Sequence, residues 1–541
     1  MFFRRKSGVR DESGVRLLTF TLAIGTRCEQ EVAMNIGQWV TKRAMLHPDS
    51  TALISDDGRA YTYAELNAGV NRIANSLPGI GAKRGDRIAT LFPNNPEFLM
   101  SWFAAAKTGA IMVPLNYRLT PPELVYILND CGAVALAYTP EFAEQVNGIR
   151  GKVDSIKNFV CVGGPGEEGD IDYDERIKSS RDSEPFVDGE PTFDDVHFIM
   201  YTSGTTGSPK GAVLTHGNTH WNAVNAMLAY QLSRKETNLV ATPMYHIAGL
   251  SAGPTPTLYA GGRVILLRFF NPEEVLRMIE AHRVTTMFGI PTMFQMMADC
   301  ELFDHTDFSS LRFLIAGGAP CHVSLIETYL SKGVTFNQGY GLTEAAPGVT
   351  ALSDEDSLRR RGSAGKPLFY VDMDIVDDDD MEVPRGEMGE IVVRGPNVFK
   401  GYWNNQAATD KVLRHGWLHT GDVGYIDSDG YLYIADRKID MIISGGENVY
   451  SAEVEKTIRA HPKVVEVAVI GLADEKWGEV PLALAIVKPG ETVTEEEIIE
   501  FCRDKLARFK TPKKVIFTEE LPMNSTGKVL KTELRASYAE S

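Results

Sequence analysis

Cysteine is scarce in this sequence. Six occur in 541 residues, at 28, 131, 161, 300, 321 and 502, and no two stand in C-x-x-C spacing. That excludes a disulfide framework and a cysteine-based zinc site, and sparse unpaired thiols predict a reducing, cytoplasmic setting. No run of about 18 apolar residues occurs, so no membrane span is expected. Basic residues are in deficit: 55 Lys and Arg stand against 72 Asp and Glu, a formal net charge of −17. A surface devoted to nucleic-acid backbone is therefore not expected, whereas small anionic ligands remain compatible with a local positive field. The rest is ordinary globular material, 43% hydrophobic and 23% charged, with enough apolar mass for several cores and roughly three or four folding units.

Residues 1–33 stand apart. They begin Met-Phe-Phe-Arg-Arg-Lys, continue through a charged stretch at 7–16 and reach a short apolar segment at 17–24 with no small-residue cleavage site after it. A secretory signal would need that site. The expectation is a disordered extension, or a true start at Met34.

From about 85 to 340 short apolar runs alternate with helical patterns. Strands are predicted at 87–92, 111–115, 134–138, 263–267, 284–288 and 311–316, with helices at 94–108, after Thr120, from Pro272 and from Pro291. Thr120, two prolines and Glu123 form a helix start. The alternation predicts an α/β fold of parallel sheets covered by helices. After about 365 the pattern becomes antiparallel, with strands at 371–376, 389–393 and across 424–434 broken by Asp429-Gly430. The acidic run 377–380 reads as a solvated turn. A further boundary falls at 436–440, followed by a helix at 451–459, strands at 464–471, 482–487 and 514–517, and a helix at 495–507: a small α+β unit.

The most informative segment is YTSGTTGSPKG at 201–211. Gly204 and Gly207 permit tight turns that bring N–H groups to an anion. Thr202, Ser203, Thr205 and Thr206 add hydroxyls, and Lys210 adds charge. It is not the Walker loop, because Lys210 is followed by Gly211 and a strand-like run rather than a helix. The segment resembles the phosphate loop of the adenylate-forming enzymes: acyl- and aryl-CoA synthetases, peptide-synthetase adenylation domains and beetle luciferases. Further motifs agree in order from about 34 to 534, and MIISGGENVY (441–450) and PMNSTGKVLK (522–531) are most like bacterial fatty-acyl-CoA synthetases.

The resemblance implies a large N-terminal adenylation domain (34–436) and a small mobile C-terminal domain (437–541). It implies that Gly317, Gly318 and Ala319 lie against adenine, on which Tyr340 of the segment Tyr340-Gly341-Leu342-Thr343-Glu344 stacks. Thr343 is implied to contact the α-phosphate, Glu344 to hold Mg²⁺, Asp422 of Thr420-Gly421-Asp422 and Arg437 to contact the ribose, and His246 to lie near the substrate carboxylate. Ser444, Gly445 and Gly446 would close over the coenzyme A (CoA) arm. Lys528 would bridge carboxylate and α-phosphate. Two departures stand out. The hinge position, usually Asp or Lys, is Ile439, with Lys438 one place early. Position 451, usually Pro, is Ser451, which reads as minor.

The implied reaction is a carboxylate plus ATP giving acyl-AMP and pyrophosphate, then CoA giving the thioester and AMP, by positioning and charge neutralisation. A fatty acid is the expected substrate, in an apolar tunnel for which Met227, Tyr230, Leu250 and 293–297 are candidates. An aryl-CoA ligase, an acyl-AMP ligase loading a carrier protein, a light-emitting oxygenase and a non-catalytic nucleotide scaffold are the alternatives. The resemblance leaves room for a homodimer and for peripheral contact with a membrane that supplies a lipid acid.

Overall fold

The structure is a computed structural model that describes residues 35–202, 209–319, 321, 323–357, 359–445, 447–474, 476–503, 505–523 and 528–538. The extension expected at 1–33 lies outside them. Two large sheets carry the N-terminal part. The first has nine strands, in the order Lys366–Pro367, Gly348–Ala351, Phe336–Gly341, Phe313–Ala316, Thr286–Gly289, Thr237–Val240, Arg263–Leu266, Thr51–Ile54 and Ala60–Thr62. The six middle strands are parallel and the edges antiparallel. The second has eight: Gly401–Tyr402, Lys210–Thr215, Val196–Thr202, Ile111–Pro114, Arg87–Leu91, Ala135–Tyr138, Asn158–Cys161 and Ile171–Asp172.

Local sequence sets the helix starts between these strands. Thr120 and Glu123 form a reciprocal cap for helix Pro121–Cys131, the Glu123 carboxylate accepting from the Thr120 N–H at 2.7 Å. Asn95 caps Pro96–Thr108 by accepting from the Phe98 N–H at 2.8 Å. Each cap satisfies donors that a helix end leaves unpaired. One continuous apolar core takes Leu53, Val240 and Val264 from the first sheet and Met112, Ala135 and Phe198 from the second, with Trp102 and Phe103 fully buried among them. Burial of this kind contributes about 25 cal/mol per Å² and fixes the two sheets against each other.

The antiparallel part is a five-stranded sheet of Asp372–Val376, Gly389–Arg394, Trp417–Ile426, Leu413–Arg414 and Leu432–Arg437. The expected acidic turn joins its first two strands. It is less free than a solvated turn: Asp378, though exposed, pairs with Lys438 at 2.8 Å, and Asp380 accepts from Arg414 at 2.9 Å. Among the described residues no three metal-binding side chains converge, and no helix is long and apolar enough to cross a membrane.

The C-terminal unit packs helices Ser451–Arg459 and Glu495–Arg503 on a sheet built around Val464–Asp474, Gly478–Val487 and Lys514–Phe517. The helix predicted over 495–507 is shorter than expected. It stops at Arg503, and the Leu506 N–H turns back to the Cys502 carbonyl at 2.8 Å. Leu506 and Phe509, beyond the helix, pack onto the small core.

Candidate active site

The phosphate-loop motif sits on a β-hairpin. Val196–Thr202 and Lys210–Thr215 are antiparallel, with Thr202 opposite Lys210. Ser203, Gly204, Thr205, Thr206 and Gly207 lie outside the described residues, so the structure locates only the two ends of the loop. Lys210 points over Tyr402, its Nζ 5.5 Å from the ring centroid. Tyr402 belongs to the short strand paired with the hairpin at Ala212. Its hydroxyl donates to Glu344 Oε1 at 2.7 Å, and the Glu344 carbonyl accepts from the Phe399 N–H at 2.8 Å. Tyr402 therefore joins the loop lysine to the Glu344 carboxylate. Sequence reasoning missed it: a tyrosine two residues into a two-residue edge strand carries no local signal.

Glu344 lies in the short helical turn Thr343–Ala345 that follows Phe336–Gly341. Desolvation pushes its carboxyl above the usual range, with the Tyr402 hydrogen bond opposing. Gly341, just before it, admits no side chain: a Cβ would stand 2.2 Å from the Pro347 carbonyl oxygen. Gly317 and Gly318 follow strand Phe313–Ala316 directly, and Ala319 comes next. These residues gather at the carboxyl ends of parallel strands, where open α/β sheets bind ligands.

Tyr340 connects this edge to the antiparallel sheet. Its ring is 9% exposed, and its hydroxyl donates to Asp422 Oδ2 at 2.6 Å. Asp422 pairs in register with Arg437 on the next strand, and Arg437 Nε lies 3.6 Å from Asp422 Oδ1. Burial raises the Asp422 carboxyl, while Arg437, the Tyr340 hydroxyl and Lys528 favour its charged form. The predicted residues Tyr340, Asp422 and Arg437 thus form one contact set.

Lys528 reaches the same cleft from the small domain. The side chain keeps surface open to solvent, yet enough protein surrounds it that desolvation and the nearby Arg437 charge bring its ammonium down to about 8, Asp422 opposing. His246 is also there: it caps helix Ile247–Ser251, and burial, with Arg118 and Lys528 adding positive charge, lowers it to about 4. Its Nε2 is buried without a hydrogen-bond partner. At neutral pH the imidazole is uncharged, so it suits orientation and packing rather than proton transfer. Lys528 is the titrating group in the working range. Its charged form persists below about 8 and is lost above it, so with the role the resemblance implies for Lys528, kcat/KM for the acid should fall about tenfold per pH unit above that value. Saturating ATP adds negative charge and should move the limb of kcat upward. A pH profile of pyrophosphate release, repeated with Lys528→Arg, checks this: the arginine variant should show no limb in that range.

Ser444 and Gly445 stand on the small domain, at the end of strand Ile442–Ser444. Gly445 has φ +64°, and a Cβ there would meet the Trp477 ring at 2.8 Å. Gly446 lies outside the described residues. Lys528 and Gly445 are therefore separate features of one domain, only the first of which is seen among the groups of the nucleotide cleft. A single carboxylate with a hydroxyl partner, Glu344 with Tyr402, has the oxygen donors that a hard divalent cation prefers when substrate phosphates supply the rest.

The AMP-binding enzyme family matches residues 40–403, and the AMP-binding enzyme C-terminal domain matches 453–528. Feruloyl-CoA synthases of Amycolatopsis sp and Streptomyces sp are 45% identical over 504 residues, 93% of this chain and 99% of theirs. The long-chain-fatty-acid–CoA ligase FadD13 of Mycobacterium tuberculosis is 42% identical over 513 residues, 93% of this chain and 99% of its own. The crystal structure of the anthranilate CoA ligase AuaEII with anthranoyl-AMP superposes with a TM-score of 0.86 at 29% identity, covering 94% of this chain and 97% of that one.

Proposed function

Because the chain belongs to the AMP-binding enzyme family and is an AMP-forming acid–CoA ligase that uses ATP with Mg²⁺ and CoA, we propose that the acid it activates is an aromatic one of about cinnamate size. The observation that carries this reading is the group of aromatic rings beside Gly339 and Gly317. A Cβ at Gly339 would stand 3.7 Å from the Tyr230 hydroxyl, and Tyr230 stacks on Phe313 with centroids 5.2 Å apart. On the neighbouring strand the Phe288 ring lies 2.9 Å from where a Gly317 Cβ would be. Flat walls and a near stop suit a planar acid better than a long chain. The tunnel candidates Leu250, Met293 and Met297 are buried in the core, as packing residues would be. Tyr230 is the member of that set that meets a glycine-bearing strand.

The residues take the following roles in this reading. The loop after Thr202, with Lys210, holds the triphosphate. Tyr340 and the Gly317–Ala319 turn seat the base, and Asp422 with Arg437 holds the ribose. Thr343 meets the α-phosphate. Glu344, oriented by Tyr402, would hold Mg²⁺, which when bound neutralises phosphate charge. Neutral His246 borders the acid. Lys528 brings a cation between the two anions that must approach, lowering their electrostatic barrier. For the thioester step the small domain turns about the 436–440 segment, withdrawing Lys528 and presenting the Ser444–Gly445 segment to the CoA arm, a hinge motion. A reducing, cytoplasmic setting, the expectation from the sparse cysteines, is part of this reading.

A medium or long aliphatic acid is the second reading, favoured by the FadD13 relatives. Thioester formation across hydroxylated cinnamic acids and C6 to C18 fatty acids tests the choice. The expected result is a kcat/KM at least tenfold higher for the aromatic acids; the reverse order would assign the enzyme to fatty acids.

A further inference from the structure

The connection between the domains is tied on both sides of Ile439. On one side the Lys438 N–H donates to the Gly421 carbonyl at 2.8 Å. Lys438 Nζ pairs with Asp378 at 2.8 Å and Glu390 at 3.3 Å, on the antiparallel sheet. Glu390 in turn accepts from the Gly421 N–H at 3.1 Å. Lys438 thus moves with the large domain. On the other side Asp440 accepts from Arg535 of the last helix, Lys531–Tyr538, at 2.7 Å, and so moves with the small one. Ile439 lies between these anchors with its side chain 46% exposed.

Besides the Asp440 and Met441 N–H bonds to the Arg437 carbonyl, at 2.9 and 3.1 Å, a side-chain contact crosses this point. Asp436 is still part of strand Leu432–Arg437, paired with Val423. Its Oδ2 accepts from Ser451 Oγ at 2.6 Å and from the Ala452 N–H at 3.2 Å. Both belong to the first turn of helix Ser451–Arg459 in the small domain. Ser451 is fully buried, and its Oγ accepts from Lys531 Nζ at 2.6 Å. Lys531 also pairs with Glu455 at 2.7 Å. The serine hydroxyl therefore gives its one proton to the large domain and takes one from the small domain. A proline at this place could do neither.

We propose that Ser451 is a positioning residue whose hydrogen bond to Asp436 holds the small domain in the orientation that puts Lys528 in the nucleotide cleft, and that this bond opens before the thioester step. The inference rests on the domain turn described above. A rotation about Ile439 carries Ser451 away from Asp436 while leaving the Lys438 and Arg535–Asp440 ties in place, so this side-chain bond is among those the turn must break, together with the Asp440 and Met441 N–H bonds to the Arg437 carbonyl. A hydrogen bond to a charged group shifts such an equilibrium by roughly tenfold.

Ser451→Pro is the first test. Proline is tolerated at the first position of a helix, and Tyr450 already has the extended ψ of 114° that a residue before proline needs. The Ala452 N–H bond to Asp436 is untouched. In the full-length enzyme, acyl-AMP formation in a single turnover should slow by roughly three- to tenfold, and thioester formation from purified acyl-AMP and CoA should hold or rise. Asp436→Asn approaches the same bond from its other end and should move the two half-reactions in the same opposed senses, more weakly. Parallel loss of both half-reactions in both variants, or an unchanged ratio, overturns the proposal. Lys528→Ala run alongside separates the two ideas. If it slows acyl-AMP formation selectively while Ser451→Pro leaves the ratio unchanged, the latch is wrong and the domain turn stands. If it slows both steps equally, the domain turn itself fails, and the latch with it.

Discussion

Lys528→Ala is expected to slow acyl-AMP formation by about 10² to 10³-fold, the usual cost of removing one group aimed at transition-state charge. The reason is local. The substrate carboxylate and the α-phosphate are both anionic, and Lys528 is the mobile cation at that place, beside Asp422 and Arg437. Thioester formation from preformed acyl-AMP should be nearly unaffected, because the α-phosphate has by then been attacked and the proposed domain turn takes Lys528 out of the cleft. Rapid-quench measurement of each half-reaction decides it. Equal loss in both would mean that Lys528 maintains the fold or serves both steps.

The second large effect is expected at Glu344. Glu344→Gln should reduce acyl-AMP formation about a hundredfold and raise the Mg²⁺ concentration needed for half-maximal rate. The amide keeps the hydrogen bond with Tyr402 but loses the charge. Tyr402→Phe should cost only a few-fold, since it leaves the carboxylate in place and removes its orienting partner, a bond of about 1 kcal/mol or somewhat more. Pyrophosphate release as a function of Mg²⁺ distinguishes the two. A Tyr402→Phe defect as large as that of Glu344→Gln would show that the hydroxyl acts on the phosphates directly.

The sequence made the elements legible wherever their signal was local. The capped helix after Thr120, the strands on either side of the phosphate loop and the helix Ser451–Arg459 stand where periodicity and capping residues place them. Tyr340, Asp422 and Arg437 could be named from their motifs, but not that the first donates to the second or that the second faces the third across a strand pair. The first is a fact of packing between segments 82 residues apart, and the second of register between two paired strands. Tyr402 was illegible for the same reason. Ser451 illustrates the opposite failure: one serine in place of proline is a small local change, and its weight comes from burial between Asp436 and Lys531.

Strand Phe336–Gly341 bears on how such an enzyme changes its diet. Successive residues of a strand face opposite ways. In the proposed reading Gly339 therefore borders the acid while Tyr340, one peptide bond later, serves the nucleotide. Evolution cannot reshape this strand for a new acid without disturbing a seat that every acid shares. Tyr230 approaches Gly339 from the C-terminal end of helix His216–Tyr230, away from the nucleotide residues of the proposed reading. Selectivity is free to drift on the helix side of the cleft while the strand side stays fixed, so the two halves of one binding site age at different rates.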